Sequence, residues 1–95
     1  RVIHMNTITS EYQTWLQDEL AKLMELFPEQ LPVNADLMSL GVDSLVAVRL
    51  AGLISDRLGA TIDPMAMFDH PTIESLAAYL VDQQAQATVV STEAQ

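Results

Sequence analysis

Leu40-Gly41-Val42-Asp43-Ser44-Leu45 opens the stretch that decides the fold, and Gly59 closes it. An aspartate and a serine stand directly before an apolar run, the pattern of a helix start in which a side-chain oxygen accepts from a first-turn amide. No proline interrupts the run, and Gly59 stands where a left-handed residue ends a helix. The spacing therefore predicts a helix from Ser44 to Leu58. With Ser44 at 0° and roughly 100° per residue, Ala47, Leu50, Leu53, Ile54 and Leu58 gather between about 180° and 320°. That arc is wide enough to be a core face. Leu45, Val48 and Gly52 fall elsewhere, between about 40° and 100°, with Arg49 and Asp56 beside them at about 120–140°. Val46, at about 200°, borders the core arc. This helix thus carries more apolar surface than one face needs. Either the preceding loop covers the second stripe, or the stripe stays open and docks partner proteins.

Toward the N-terminus, Ser10 followed by Gln13 has capping-box spacing, and Tyr12, Leu16, Leu20, Leu23 and Phe27 recur at steps of three and four. A first helix is expected from Glu11 to Phe27, ended by Pro28. The segment from Pro28 to Asp43 reads as a long loop, rich enough in apolar residues to lie across the helices, with Asn34 or Asp36 capping a short turn inside it. Asp63-Pro64 starts a short third helix through about Phe68, and Thr72 caps a fourth from Ile73 to about Gln84 that buries Ile73, Leu76, Ala77 and Leu80. The expected fold is all-α: a four-helix bundle with three main helices, a short third helix and a long loop between the first and second. Residues 10–84 form its single domain, 1–9 are a linker or cloning remnant, and 85–95 are a flexible linker.

Composition excludes several classes. The chain has 95 residues and a formal net charge of −9. Arg1, Lys22, Arg49 and Arg57 are its only Lys or Arg residues, too few for a nucleic-acid stripe or for an anionic membrane surface. A partner selected by charge should be basic. There is no Cys, hence no thiol nucleophile and no Cys-type zinc site, and His4 and His70 lack ligands at helical spacing, so no metal site is expected. No apolar run reaches the roughly 20 residues of a membrane span, and the default compartment is the cytoplasm. No catalytic Ser/His/Asp set or Gly-rich phosphate loop is visible; Ser44 with His70 is a dyad on paper only, because the Pro-bounded turn accounts for His70.

Taken alone, Ser44 is an ordinary helix-start residue. Its context is not ordinary. Gly41-Val42-Asp43-Ser44-Leu45 resembles the signature of acyl carrier proteins, and Phe68-Asp69-His70-Pro71-Thr72 resembles the segment before the last helix in carrier domains of modular synthases. The resemblance spans about Tyr12 to Val81. It implies a non-catalytic carrier domain of a type I modular polyketide synthase, with 4′-phosphopantetheine from coenzyme A attached covalently to Ser44. It also implies a phosphopantetheinyl transferase, a ketosynthase, an acyltransferase and other synthase domains as partners, and a monomeric isolated domain. Asp43, Leu45, Val48, Arg49, Gly52 and Asp56 are then the recognition residues. Asp43 stands where peptidyl carriers usually have His, which favours an acyl carrier; a peptidyl or aryl carrier, and a helical interaction domain without the arm, are the alternatives. Arg49 and Arg57 balance Asp43 and Asp56, unlike the acidic second helix of free fatty-acid carriers, and Leu50 replaces the Trp of β-branching carriers.

Overall fold

The computed structural model describes the backbone of residues 2–93 and the side chains of residues 8–85. Its elements are α1 (Val2–Met24), a single 3₁₀ turn (Pro28–Gln30), α2 (Ser44–Leu58), α3 (Ala66–Asp69) and α4 (Ile73–Glu93), with no strand among the described residues. The expected all-α, four-helix architecture is the observed one. Tyr12 on α1 donates its hydroxyl to Gln84 on α4, and the guanidinium of Arg57 at the end of α2 lies over the rings of Tyr12 and Trp15, 5.1 and 4.8 Å from their centroids. At the other end, Met24 of α1 lies beside Gly41, just before α2 begins. α2 therefore runs antiparallel to α1, and so does α4, whose start is tied through Leu37 N–H and the Pro71 carbonyl to the loop that reaches Gly41.

The core gathers one stripe from each element. Tyr12, Leu16, Leu20 and Ala21 come from α1, Ala47, Leu50, Ala51 and Ile54 from α2, Ala66 and Met67 from α3, and Ile73, Leu76, Ala77, Leu80 and Val81 from α4. Leu31, Leu37 and Val42 enter the same cluster from the long loop. Leu53 and Leu58, expected in the core arc of α2, are only half-buried, whereas Ala51, outside that expected set, is buried.

α1 differs from expectation at both ends. Ser10 is not its start: the backbone is helical from Val2, since no Gly or Pro lies before Ser10 to interrupt it. The helix then stops at Met24, not Phe27. Leu26 N–H donates to the Ala21 carbonyl at 2.9 Å and Glu25 N–H to that of Lys22 at 3.4 Å, with Glu25 at φ 57°. This is a Schellman closure with a glutamate in the left-handed place that usually holds glycine. It turns Phe27 out of the stripe it was expected to join: Phe27 is 73% exposed. α4 likewise continues past Gln84 to Glu93 through Ala, Gln, Thr and Val residues with no breaker, so the parts of 1–9 and 85–95 that are described are helical.

The loop is built, not slack. Asp36 Oδ1 accepts from Met38 N–H at 3.1 Å, starting a short turn. Gly41 at φ 108° ends that turn, with Val42 N–H on the Leu37 carbonyl at 3.1 Å and Gly41 N–H on that of Met38 at 3.2 Å. The same double closure as at Glu25 recurs here, and its apolar partners, Leu37 and Val42, are both buried. Leu37 N–H then donates to the Pro71 carbonyl, and the Val33 carbonyl accepts from Glu74 N–H, each at 2.8 Å, so the loop is tied to the start of α4. α4 is capped as expected: Thr72 Oγ1 accepts from Ser75 N–H at 3.0 Å, and Ser75 Oγ from Thr72 N–H at 3.2 Å. Asp63 does the same for the turn leading into α3, accepting from Met65 N–H at 2.9 Å, although regular α3 begins only at Ala66.

Left-handed geometry at a residue bearing a Cβ costs roughly 1–2 kcal/mol. Glu25→Gly is therefore expected to raise stability by about 1 kcal/mol, less whatever glycine adds to unfolded-chain entropy. Gly59→Ala, at φ 71°, is expected to lower stability by a similar amount. Urea unfolding followed by circular dichroism reads both, and a Glu25→Gly protein less stable than the parent contradicts the assignment of strain.

Candidate functional site

α2 begins where the built loop ends, and the atoms of its first turn define the site. Asp43 has extended geometry, φ −114° and ψ −174°, and its Oδ1 accepts from Val46 N–H at 3.0 Å while its carbonyl accepts from Ala47 N–H at 2.9 Å. Asp43 is therefore the N-cap, and Ser44 is the first helical residue. Ser44 is exposed, and its hydroxyl has no hydrogen-bond partner among the described residues. The amides of Ser44 and Leu45 precede the first possible intrahelical acceptor, so they and the positive end of the helix dipole are available to an anionic group bound at the Ser44 oxygen. An unengaged hydroxyl on an exposed residue and two amides without an intrahelical acceptor fit a phosphodiester attached at that oxygen.

The second stripe of α2 is open. Leu45 and Val48 are 59% and 55% exposed, so the loop does not cover them. Gly52 lies on the same face, and a Cβ built there meets nothing within 4 Å. Arg49 and Asp56 border the stripe, exposed and without a charged partner among the described residues. Val46 is half-buried against the core. Sequence periodicity thus separated Leu45, Val48, Gly52, Arg49 and Asp56 from the core face, while it left Val46 on the border between the two. It missed Met65, 55% exposed, and Phe68 on the short α3, because an element of four residues carries too little periodicity to separate its faces. His70 does not approach Ser44 as a partner; its ring stacks on Tyr79 at 4.4 Å, which accounts for it structurally. Among the described residues no group of three His, Cys, Asp or Glu side chains could hold a metal ion, and no helix is long and apolar enough to cross a membrane.

Comparison with known proteins adds independent findings. Residues 14–80 match the family described as phosphopantetheine attachment site. Over 71 residues the chain is 39% identical to a phenolphthiocerol/phthiocerol polyketide synthase of Mycobacterium tuberculosis, covering 75% of this chain and 4% of that protein. It is 33% identical over 86 residues to nonribosomal peptide synthetase lenA of Aspergillus lentulus, covering 90% of this chain and 2% of that protein. Among solved structures, a free-standing peptidyl carrier protein from Acinetobacter baumannii superposes with a TM-score of 0.77 at 31% identity, covering 79% of this chain and 94% of that one. The chain thus spans only a few hundredths of the length of the curated relatives, and they include both polyketide and nonribosomal peptide synthases.

Asp43 combines a cap with an exposed charge, and the two separate by substitution. Asp43→Ala should cost about 1 kcal/mol through the lost cap, which in a domain of this size lowers Tm by roughly 4–8 °C. Asp43→Asn keeps an acceptor for Val46 N–H and should leave Tm within about 2 °C, since Asn caps as well as Asp. If the charge is also read by a modifying enzyme, Asp43→Asn slows modification of Ser44 without a thermal cost; equal rates in Asn and parent proteins would leave Asp43 as a cap alone.

Proposed function

The chain belongs to the phosphopantetheine attachment-site family, and on that footing we propose that it is an acyl carrier domain of a polyketide synthase whose arm is attached to Ser44. One observation carries the residue assignment: among the described residues, Ser44 combines the family's motif position with an exposed, unengaged hydroxyl on the first turn of a 15-residue helix. When bound, the group supplies the thiol on which an acyl chain is held as a thioester, chemistry that a chain without Cys does not provide itself.

The residues of the chain do the rest. Gly41 and Asp43 set the direction of α2 and leave Ser44 outside the core. Leu45 flanks the attachment oxygen one residue on, and Val48 and Gly52 continue the apolar strip that a phosphopantetheinyl transferase and the catalytic domains of a synthase, a ketosynthase and an acyltransferase among them, would touch in turn. Arg49 and Asp56, of opposite charge, make that strip less dependent on negative charge than on fit. The domain itself performs no catalysis, acts as a monomer and works in the cytoplasm.

Asp43 before the serine, and the Phe68–Thr72 segment, support polyketide over peptidyl cargo. Incubation with coenzyme A and a broad-range transferase should add one phosphopantetheine mass to the wild type and none to Ser44→Ala. A polyketide acyltransferase domain should then load the modified protein, and an adenylation domain should not. Undiminished modification of Ser44→Ala would refute the site, and loading by an adenylation domain alone would make the cargo aminoacyl.

A further inference from the structure

The carrier reading gives no part to the most exposed large apolar side chain among the described residues, Phe27. A single exposed hydrophobe is normal on a protein surface, but three features set this one apart. First, its backbone is held from both directions: Phe27 N–H donates to Gln30 Oε1 at 2.8 Å, and the Phe27 carbonyl accepts from Gln30 N–H at 2.9 Å. With Pro28 next in sequence, φ −86° and ψ 146° are fixed, so little backbone freedom remains to be lost on binding. Second, the turn that puts Phe27 outside is a strained one, with Glu25 at φ 57°. Third, exposed Glu25 and Glu29 flank it, and neither has a charged partner among the described residues.

We infer that Phe27 is a second docking anchor, distinct from the apolar strip of α2, and that it seats in an apolar pocket rimmed by Lys or Arg on an acyl-transferring catalytic domain. Two exposed carboxylates without a charged partner among the described residues, two positions either side of Phe27 on a chain of net charge −9, favour a basic surface and repel an acidic one. The position identifies the kind of domain. Phe27 lies at the same end of the bundle as Ser44, where Met24 meets Gly41, but on another segment of chain. An enzyme that modifies the serine itself must close over the start of α2. A domain that acts on the far end of a long arm is free to grip the protein elsewhere. A rigid aromatic in a desolvated pocket is the kind of side chain that dominates interface energetics.

This inference rests on the carrier reading, and the test keeps the two apart. Wild type, Phe27→Ala, Phe27→Leu and the double variant Glu25→Lys/Glu29→Lys are each converted to the arm-bearing form by the transferase. They are then loaded by the polyketide acyltransferase domain that loads the wild type. Phe27→Ala should lower kcat/KM for loading at least tenfold, mainly through KM, and Phe27→Leu should recover part of it. The double charge reversal should also lower it at least tenfold and abolish its fall with added salt. Transferase rates and Tm should stay within about twofold and 2 °C of wild type, because Phe27 buries little and Lys tolerates the left-handed position no worse than Glu. Loading of Phe27→Ala or of the charge reversal within twofold of wild type overturns the inference. Failure of the wild type to accept the arm overturns the carrier reading instead.

Discussion

Leu37 is the joint on which the serine-bearing end of the bundle is set. Its side chain is fully buried, its N–H is held by Pro71 at the start of α4, and its carbonyl receives Val42 as the chain swings toward α2. Those three engagements tie the middle of the long loop to two helices at once. A fully buried leucine contributes about 1.5–3 kcal/mol by removal from water, and buried backbone groups left unpaired would cost a comparable amount. The loop therefore keeps one path. Because it does, Gly41, Asp43 and Ser44 occupy defined places at the end of the bundle and do not swing with a free connection.

The site follows from that restraint. Asp43 satisfies the Val46 amide, which leaves the serine hydroxyl unengaged and the earlier amides open. The core needs only one face of α2, occupied by Ala47, Leu50, Ala51 and Ile54, so Leu45, Val48 and Gly52 remain outside it. Under the carrier function proposed above, a helix that is apolar on two sides would meet both demands: one side holds the domain together while the other is left for partner domains to touch and release. The opposite end is closed differently. Arg57 lies over Tyr12 and Trp15, and Tyr12 reaches Gln84, so aromatic and polar contacts bind α1, α2 and α4 where the core tapers.

Much of this is legible in the chain because the signals are local. The cap-and-glycine punctuation bounds α2 at Ser44 and Leu58, Thr72 starts α4, and the angular spread of apolar residues on α2 separates the core face from the outer strip. α1 departs from its sequence pattern where local signals compete. Ser10 and Gln13 have the spacing of a start, but a start signal does not stop a helix that already runs through breaker-free sequence. Phe27 continues the rhythm of Leu16, Leu20 and Leu23, but rhythm cannot register that the backbone has left the helix before Phe27 is reached.

Class and motif are written in the chain: an all-α domain, a serine opening the second helix within a carrier motif, and no thiol of its own. Those properties depend on side-chain identity and near-neighbour spacing. Which apolar residues are covered depends on how the segments pack. That packing left Leu45 and Val48 bare because the loop crosses toward Pro71 and Glu74 and not over α2, and it put Phe27 in solvent because Glu25 accepts a left-handed turn. Exposure is a relation between segments distant in the chain, so no local pattern states it.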